Sequence, residues 1–192
     1  MKYVISTVLG IAVFILSACN GNSEKKNSSA EAHTDTTAHA NHTASAEPTI
    51  PGLFGQYGKL VSALSSDDDK EAVFAAQGLV KTLYSLDTTR FNAEQLKAYK
   101  DISASIEENG VHIAANLGSI QHQREHLVML GEDFYDLAKS FDLGKPVYKI
   151  ACPKFNDGKG AFWLSETKEI KNPYYGAKMP GCGSVTETIT KN

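Results

Sequence analysis

From Leu53 to Leu143 the apolar positions return every three or four residues, the spacing that lines one face of an α-helix. Four stretches share this period. The first carries Leu53, Tyr57, Leu60, Val61 and Leu64. The second is predicted to start at Ser66, whose hydroxyl can cap the free amides three residues on while Asp69 answers back, and it runs through Val73, Ala76, Val80 and Leu83. Asn92 with Gln95 marks a similar start for the third, whose seam is Leu96, Tyr99, Ser103, Ile106, Gly110, Ile113 and Leu117. Gly118 and Ser119 supply a stop and a new cap. The fourth stretch then carries Ile120, Leu127, Leu130, Phe134, Leu137 and Phe141 before Gly144 and Pro146 end it. Amphipathic helices joined by short links pack as antiparallel neighbours, so the predicted fold class is mainly α, an up-and-down four-helix bundle. Gly78 and Gly110 cut against it, each costing about 1 kcal/mol relative to alanine inside a helix.

Past Pro146 the helical period is lost. Val147 to Cys152 and Val185 to Thr190 alternate as short strands do, while Asn156-Asp157-Gly158, Asn172-Pro173 and Pro180-Gly181 are turn signals. This irregular extension, about 146–192, holds too little apolar surface to stand alone. It is expected to pack on the bundle through Phe162, Trp163, Leu164 and Tyr174. Residues 51–192 therefore read as one domain.

The other end of the chain has a different character. Lys2 precedes an apolar run from Tyr3 to Leu16, followed by Leu16-Ser17-Ala18-Cys19, a pattern similar to a bacterial lipoprotein signal. The run is shorter than the roughly 20 residues that span a bilayer. Residues 1–18 are thus expected to be a signal peptide and Cys19 a lipidated N-terminus that anchors the protein to a membrane. An ordinary secretory signal with an incidental cysteine is the plainer alternative. Asn20 is not the aspartate that retains some lipoproteins at the inner membrane, which favours the outer membrane with the domain in the periplasm. Residues 19–50 are polar and lack aromatic side chains, so they read as a tether. It carries His33, His39 and His42, mobile imidazoles able to collect copper, zinc or nickel weakly.

Charge narrows the partners. With 19 basic and 22 acidic residues the chain carries a net charge of −3 and no basic cluster, which excludes a nucleic-acid surface. The remaining histidines, His112, His122 and His126, gather where the third and fourth helices meet. His122 and His126 are four apart on one helical face, which is ligand spacing, and equally the spacing of a solvated surface paired with Arg124 and Glu125. His122-Gln123-Arg124-Glu125-His126 also matches the H-x-x-E-H pattern of inverted zinc peptidases. Only 66 residues follow it, too few for the cleft and third ligand such enzymes need. No serine or cysteine nucleophile with a partner pattern is visible either, so an enzyme is not expected.

Cys152 and Cys182 leave two readings open. In an exported protein with Cys19 lipidated, an even pair defaults to a disulfide, here one that would stabilise the tail by about 3 to 4 kcal/mol. As thiolates they would instead be ligands for a soft metal, with Met179 and a histidine completing the set.

The tail also has a recognisable pattern: Cys152-Pro153, Gly160-x-x-Trp163-Leu164-Ser165, Glu169-Ile170-x-Asn172-Pro173-Tyr174-Tyr175-Gly176, Met179 and Cys182-Gly183. With His112 before Ile113-Ala114, and the segment from His122 to His126, it resembles the domain of unknown function family 3347 from about Leu53 onward. That family occurs as small exported lipoproteins and fused to periplasmic adaptors of copper and silver efflux pumps. The resemblance implies metal handling, with an efflux adaptor or another envelope protein as partner. Family members read Cys-Pro-Met where this chain has Lys154, so one soft donor is replaced by an ammonium. The expectation is a non-enzymatic envelope lipoprotein that binds copper, as Cu(I), or zinc through Cys152, Met179, Cys182, His112, His122 and His126, as an accessory to metal resistance or efflux. The alternative is a disulfide-stapled, metal-free interaction module docking through exposed Trp163, Tyr174 and Tyr175.

Overall fold

The computed structural model describes residues 49–191. Thr49 opens the first helix, α1 (Ile50–Ser65), by accepting a hydrogen bond from the Gly52 amide, with Pro51 in the first turn where its missing N–H costs nothing. Helix α2 (Asp69–Tyr84) starts two residues later than Ser66 suggested. Ser66 instead ends α1, and Asp68 caps α2 by accepting from the Glu71 amide at 2.8 Å. The reason is the reversal between the helices, which Asp67 makes at φ 57°. Helix α3 (Ala93–Ala115) begins with the predicted capping box between Asn92 and Gln95. It stops at Asn116, so Leu117 lies beyond it and is exposed. Helix α4 (Ile120–Ser140) follows Ser119, whose side chain makes no capping bond. The preceding Gly118 has φ +84° and donates its amide to Asp69 at 2.6 Å, which ties this link to the start of α2.

The four helices bury the seams their period implies: Leu53, Tyr57, Leu60 and Leu64 on α1, and Leu127, Leu130, Phe134 and Leu137 on α4. On α2 the fully buried positions are the small Ala72, Ala75 and Ala76 with Leu79, while Val73 and Val80 are half-buried. Small side chains let neighbouring helices approach closely. Gly110 shows how closely: a Cβ there would lie 2.7 Å from the Val80 side chain, so the glycine that weakens α3 is what admits α2. Between α1 and α4 the rings of Tyr57 and Phe134 stack at 4.3 Å.

The tail forms a three-stranded antiparallel sheet in the order β2-β1-β3, with β1 Val147–Cys152, β2 Ala161–Ser165 and β3 Ser184–Ile189. The predicted strands match β1 and β3. Strand β2 was expected only as a set of anchors, because Phe162-Trp163-Leu164 is a continuous apolar run without alternation. Its position against the bundle explains that: Trp163 and Leu164 are both buried. Leu164 donates its amide to the buried Tyr57 hydroxyl at 3.2 Å, and the Phe162 carbonyl lies 2.8 Å from where a Cβ on Gly131 of α4 would sit. No helix among the described residues is long and apolar enough to cross a membrane. The signal peptide, Cys19 and the tether with His33, His39 and His42 lie outside the described residues.

Candidate metal centre and the cysteine pair

The segment from His122 to His126 occupies the first turns of α4, and the helical period divides it between two surfaces. His122 and His126 turn toward α3. His126 Nδ1 lies 2.9 Å from the Asn109 side-chain oxygen, and Asn109 in turn donates to the Ser105 carbonyl at 2.8 Å. His122 Nδ1 lies 3.0 Å from Glu125 Oε2. His112 comes from α3, three residues after Asn109 and on the same face, and stacks on the His126 ring at 4.6 Å. Each of the three histidines has a ligand-capable nitrogen within 4.8 Å of the others.

These hydrogen bonds select tautomers. Asn109 and Glu125 offer oxygens, so in the neutral rings the protons sit on the Nδ1 atoms of His126 and His122 and both Nε2 atoms carry lone pairs. Those two Nε2 atoms face each other at 3.3 Å. Two lone pairs so placed repel unless a proton on one ring or a metal ion lies between them. Tetrahedral zinc, with Zn–N of about 2.0–2.1 Å, sets its ligand nitrogens about 3.3–3.4 Å apart, so the His122 and His126 pair matches that spacing, and the His112 nitrogen, within 4.8 Å, would close on the ion to complete the set. Burial, followed by the neighbouring His112 and His122, holds His126 below the usual imidazole value, which favours its neutral form.

The other residues of the segment do structural work. Arg124 is only 1% exposed, and it donates to the Pro173 carbonyl at 2.7 Å, the Leu64 carbonyl at 2.8 Å and Asp67 Oδ1 at 2.6 Å. It is therefore a clamp joining the end of α1, helix α4 and the tail, rather than part of a solvated ion-paired surface. Asp67 also accepts the Ala177 amide, and that bond, with Arg124 beside it, holds its carboxyl below the ordinary carboxylate value. Gln123 is fully buried and donates to the Asp69 carbonyl at 3.1 Å.

Cys152 and Cys182 sit elsewhere. In the β1–β3 register Ala151 pairs with Ser184, which sets Cys152 at the end of β1 beside the stretch that leads into β3. Asn172 holds that stretch: fully buried, it donates to the Cys182 carbonyl at 2.7 Å and accepts the amides of Tyr174 and Tyr175. Both cysteines are free thiols, Cys152 buried and Cys182 partly exposed. Burial pushes the Cys152 thiol up, but hydrogen bonding from Cys182, from the Lys154 and Phe155 amides and from the Asn172 side chain outweighs it and leaves the thiol below its ordinary value. Cys182, facing Cys152, is raised. Met179 is half-buried, and its carbonyl accepts the Cys182 amide at 3.1 Å.

The single site expected from Cys152, Met179, Cys182 and the three histidines is thus two groups. Val128 lines the cleft beside Cys152, while His126 faces Asn109 on α3. Residues two apart on a helix point about 200° apart, so α4 itself separates histidines from cysteines. The aromatic docking surface is also absent from the described residues in the expected form, because Trp163 and Tyr174 are buried and Tyr175 is half-buried. Asn109 and Asn172 are not among the expected site residues, whereas the pairing of Glu125 with His122 is one the sequence spacing offers. For Asn109 the signal was its three-residue spacing from His112, and for Asn172 the turn-forming Asn-Pro pair.

A family model described as Protein of unknown function (DUF3347) matches residues 53–145. The match contains all three clustered histidines and ends just before β1, so both cysteines fall beyond it. No curated protein and no solved structure matches the chain.

Proposed function

This chain belongs to the DUF3347 family, whose description names no activity, and from its own site we propose that it is an accessory metal-binding protein taking one copper or zinc ion at His112, His122 and His126. The observation that carries this reading is the pair of facing Nε2 atoms at 3.3 Å, each ring oriented by a hydrogen bond behind it. Metal-binding histidines characteristically carry such outer partners, which fix the tautomer and raise ligand basicity. Imidazole donors suit copper and zinc, so the donor set narrows from the mixed thiolate, thioether and imidazole one to imidazole alone. The protein is an envelope lipoprotein anchored through Cys19, in the outer membrane, and serves metal resistance or efflux beside an efflux adaptor. It holds the ion without catalysing a reaction.

Native mass spectrometry and calorimetry on the full chain, with zinc and copper added in turn, test this. One equivalent is expected to bind the wild type, and His126→Ala is expected to lose it. Equal stoichiometry and affinity in the wild type and in a His112→Ala, His122→Ala, His126→Ala triple variant would sink the idea.

A further inference from the structure

The cysteine pair lies outside the metal reading and has a chemistry of its own. The two sulfurs differ in access: Cys152 is fully buried, while Cys182 is partly exposed. They differ also in support. The Lys154 and Phe155 amides and the Asn172 side chain favour the thiolate of Cys152 against its burial, whereas Cys182 is held mainly through its backbone, by Asn172 and the Met179 carbonyl. The strand register keeps both ends close, since Cys182 lies two residues before the Ser184 that pairs with Ala151.

We propose that Cys152 and Cys182 form a thiol–disulfide exchange site for low-molecular-weight thiols, in which Cys182 carries the mixed disulfide and Cys152 is the sulfur that closes or leaves. In the oxidising direction Cys182 loses its proton to solvent and attacks an external disulfide, R–S–S–R. A Cys182–S–S–R bond forms and one RS⁻ departs with the electron pair of the broken bond. Cys152, as thiolate, then attacks the Cys182 sulfur, the protein disulfide forms, and the second RS⁻ leaves. Two protein thiols are oxidised and one external disulfide is reduced to two thiols. In the reducing direction an external thiolate attacks the accessible Cys182 sulfur and Cys152 leaves, its charge held by the two amides and Asn172. A second external thiolate then attacks the R sulfur of the mixed disulfide and frees Cys182 as R–S–S–R is released. A leaving thiolate that is stabilised departs faster, and a stabilised reduced form makes the disulfide easier to reduce. The pair is therefore a labile couple rather than a permanent staple.

The test equilibrates the full chain, with a chelator present, in glutathione buffers running from all thiol to all disulfide, followed by acid quench, alkylation and peptide mass mapping. Cys152 and Cys182 are expected to pass together from alkylated to bridged across that range. Cys152→Ser should trap glutathione on Cys182, and Cys182→Ser should label Cys152 at least tenfold more slowly. A bridge that persists in excess glutathione thiol, thiols that stay free in pure glutathione disulfide, or equal labelling of Cys152 in the Cys182→Ser variant would each overturn the proposal. The wild-type titration needs no variant to fold, and alanine replacements checked by circular dichroism must reproduce the labelling asymmetry. His126→Ala is expected to leave the exchange unchanged, so its outcome is independent of the metal reading.

Discussion

The two sides of α4 put one pentapeptide to opposite uses. Toward the tail and the end of α1, Arg124 is buried and spends its donors on the Pro173 and Leu64 carbonyls, while the buried Gln123 donates to the Asp69 and Ile113 carbonyls of α2 and α3. Toward α3, His122 and His126 remain half-exposed and are braced by Glu125 and Asn109, with their Nε2 atoms left facing each other. The comparison separates what holds a fold from what a fold holds out. A side chain whose donors are all satisfied inside the protein stabilises it, whereas a braced side chain with an open lone pair is arranged for something else to arrive.

The sharpest way to break that comparison is Arg124→Ala. Removing the guanidinium leaves the Leu64 and Pro173 carbonyls without their donor, at about 1–3 kcal/mol each, and the solvent-exposed Asp67 without its ion-pair partner. Urea unfolding should show that loss, while His126→Ala should move the midpoint little; equal effects would mean the two faces do not differ in role. Next comes Gly131→Ala. Its new methyl would meet the Phe162 carbonyl at 2.8 Å, and because that atom is backbone the sheet must shift, at about 1–3 kcal/mol on the same assay. Asn109→Ala sharpens the other side. Loss of an outer partner should weaken metal binding about 10–100-fold in a chelator competition, although Asn109 touches no ion itself.

The smallest effect is in the pH dependence, where two aspartates act with opposite sign. Asp67 is held low, so its contribution is present above the ordinary carboxylate value and is lost as pH falls through its folded-state value. Burial pushes Asp133 up to about 6, with the Ser105 hydroxyl opposing and Asp136 and Glu132 adding. Its folded form prefers the proton, so stability falls as pH rises from its ordinary value of 3.8 toward 6. Asp133→Asn should raise the melting temperature slightly at pH 7 and remove that part of the slope. An unchanged thermal profile between pH 4 and 7 would show that solvent screens the carboxylate completely.

Much of the fold was legible because helical and strand periods are local. The capping box at Asn92 and Gln95, the seam from Leu127 to Leu137 and the strands beginning at Val147 and ending near Thr190 were all readable from spacing. The start of α2 was misread because Ser66 and Asp68 both qualify as caps, and the choice depends on the backbone reversal at Asp67. Gly110 looked like a defect until α2 lay against it. Strand β2 was missed because burial against the bundle replaced its alternation with a continuous apolar run.

The sequence by itself determined four amphipathic helices, a strand-forming tail, and the residue types able to bind a metal or exchange disulfides, because each depends on side-chain chemistry and spacing within one element. Tertiary structure alone decided that the histidines and the cysteines form two separate groups. Helical period tells which residues share a face, but only packing tells what that face meets. Here α3 meets one side of α4 and the sheet the other, and the helix between them keeps imidazoles and thiols apart.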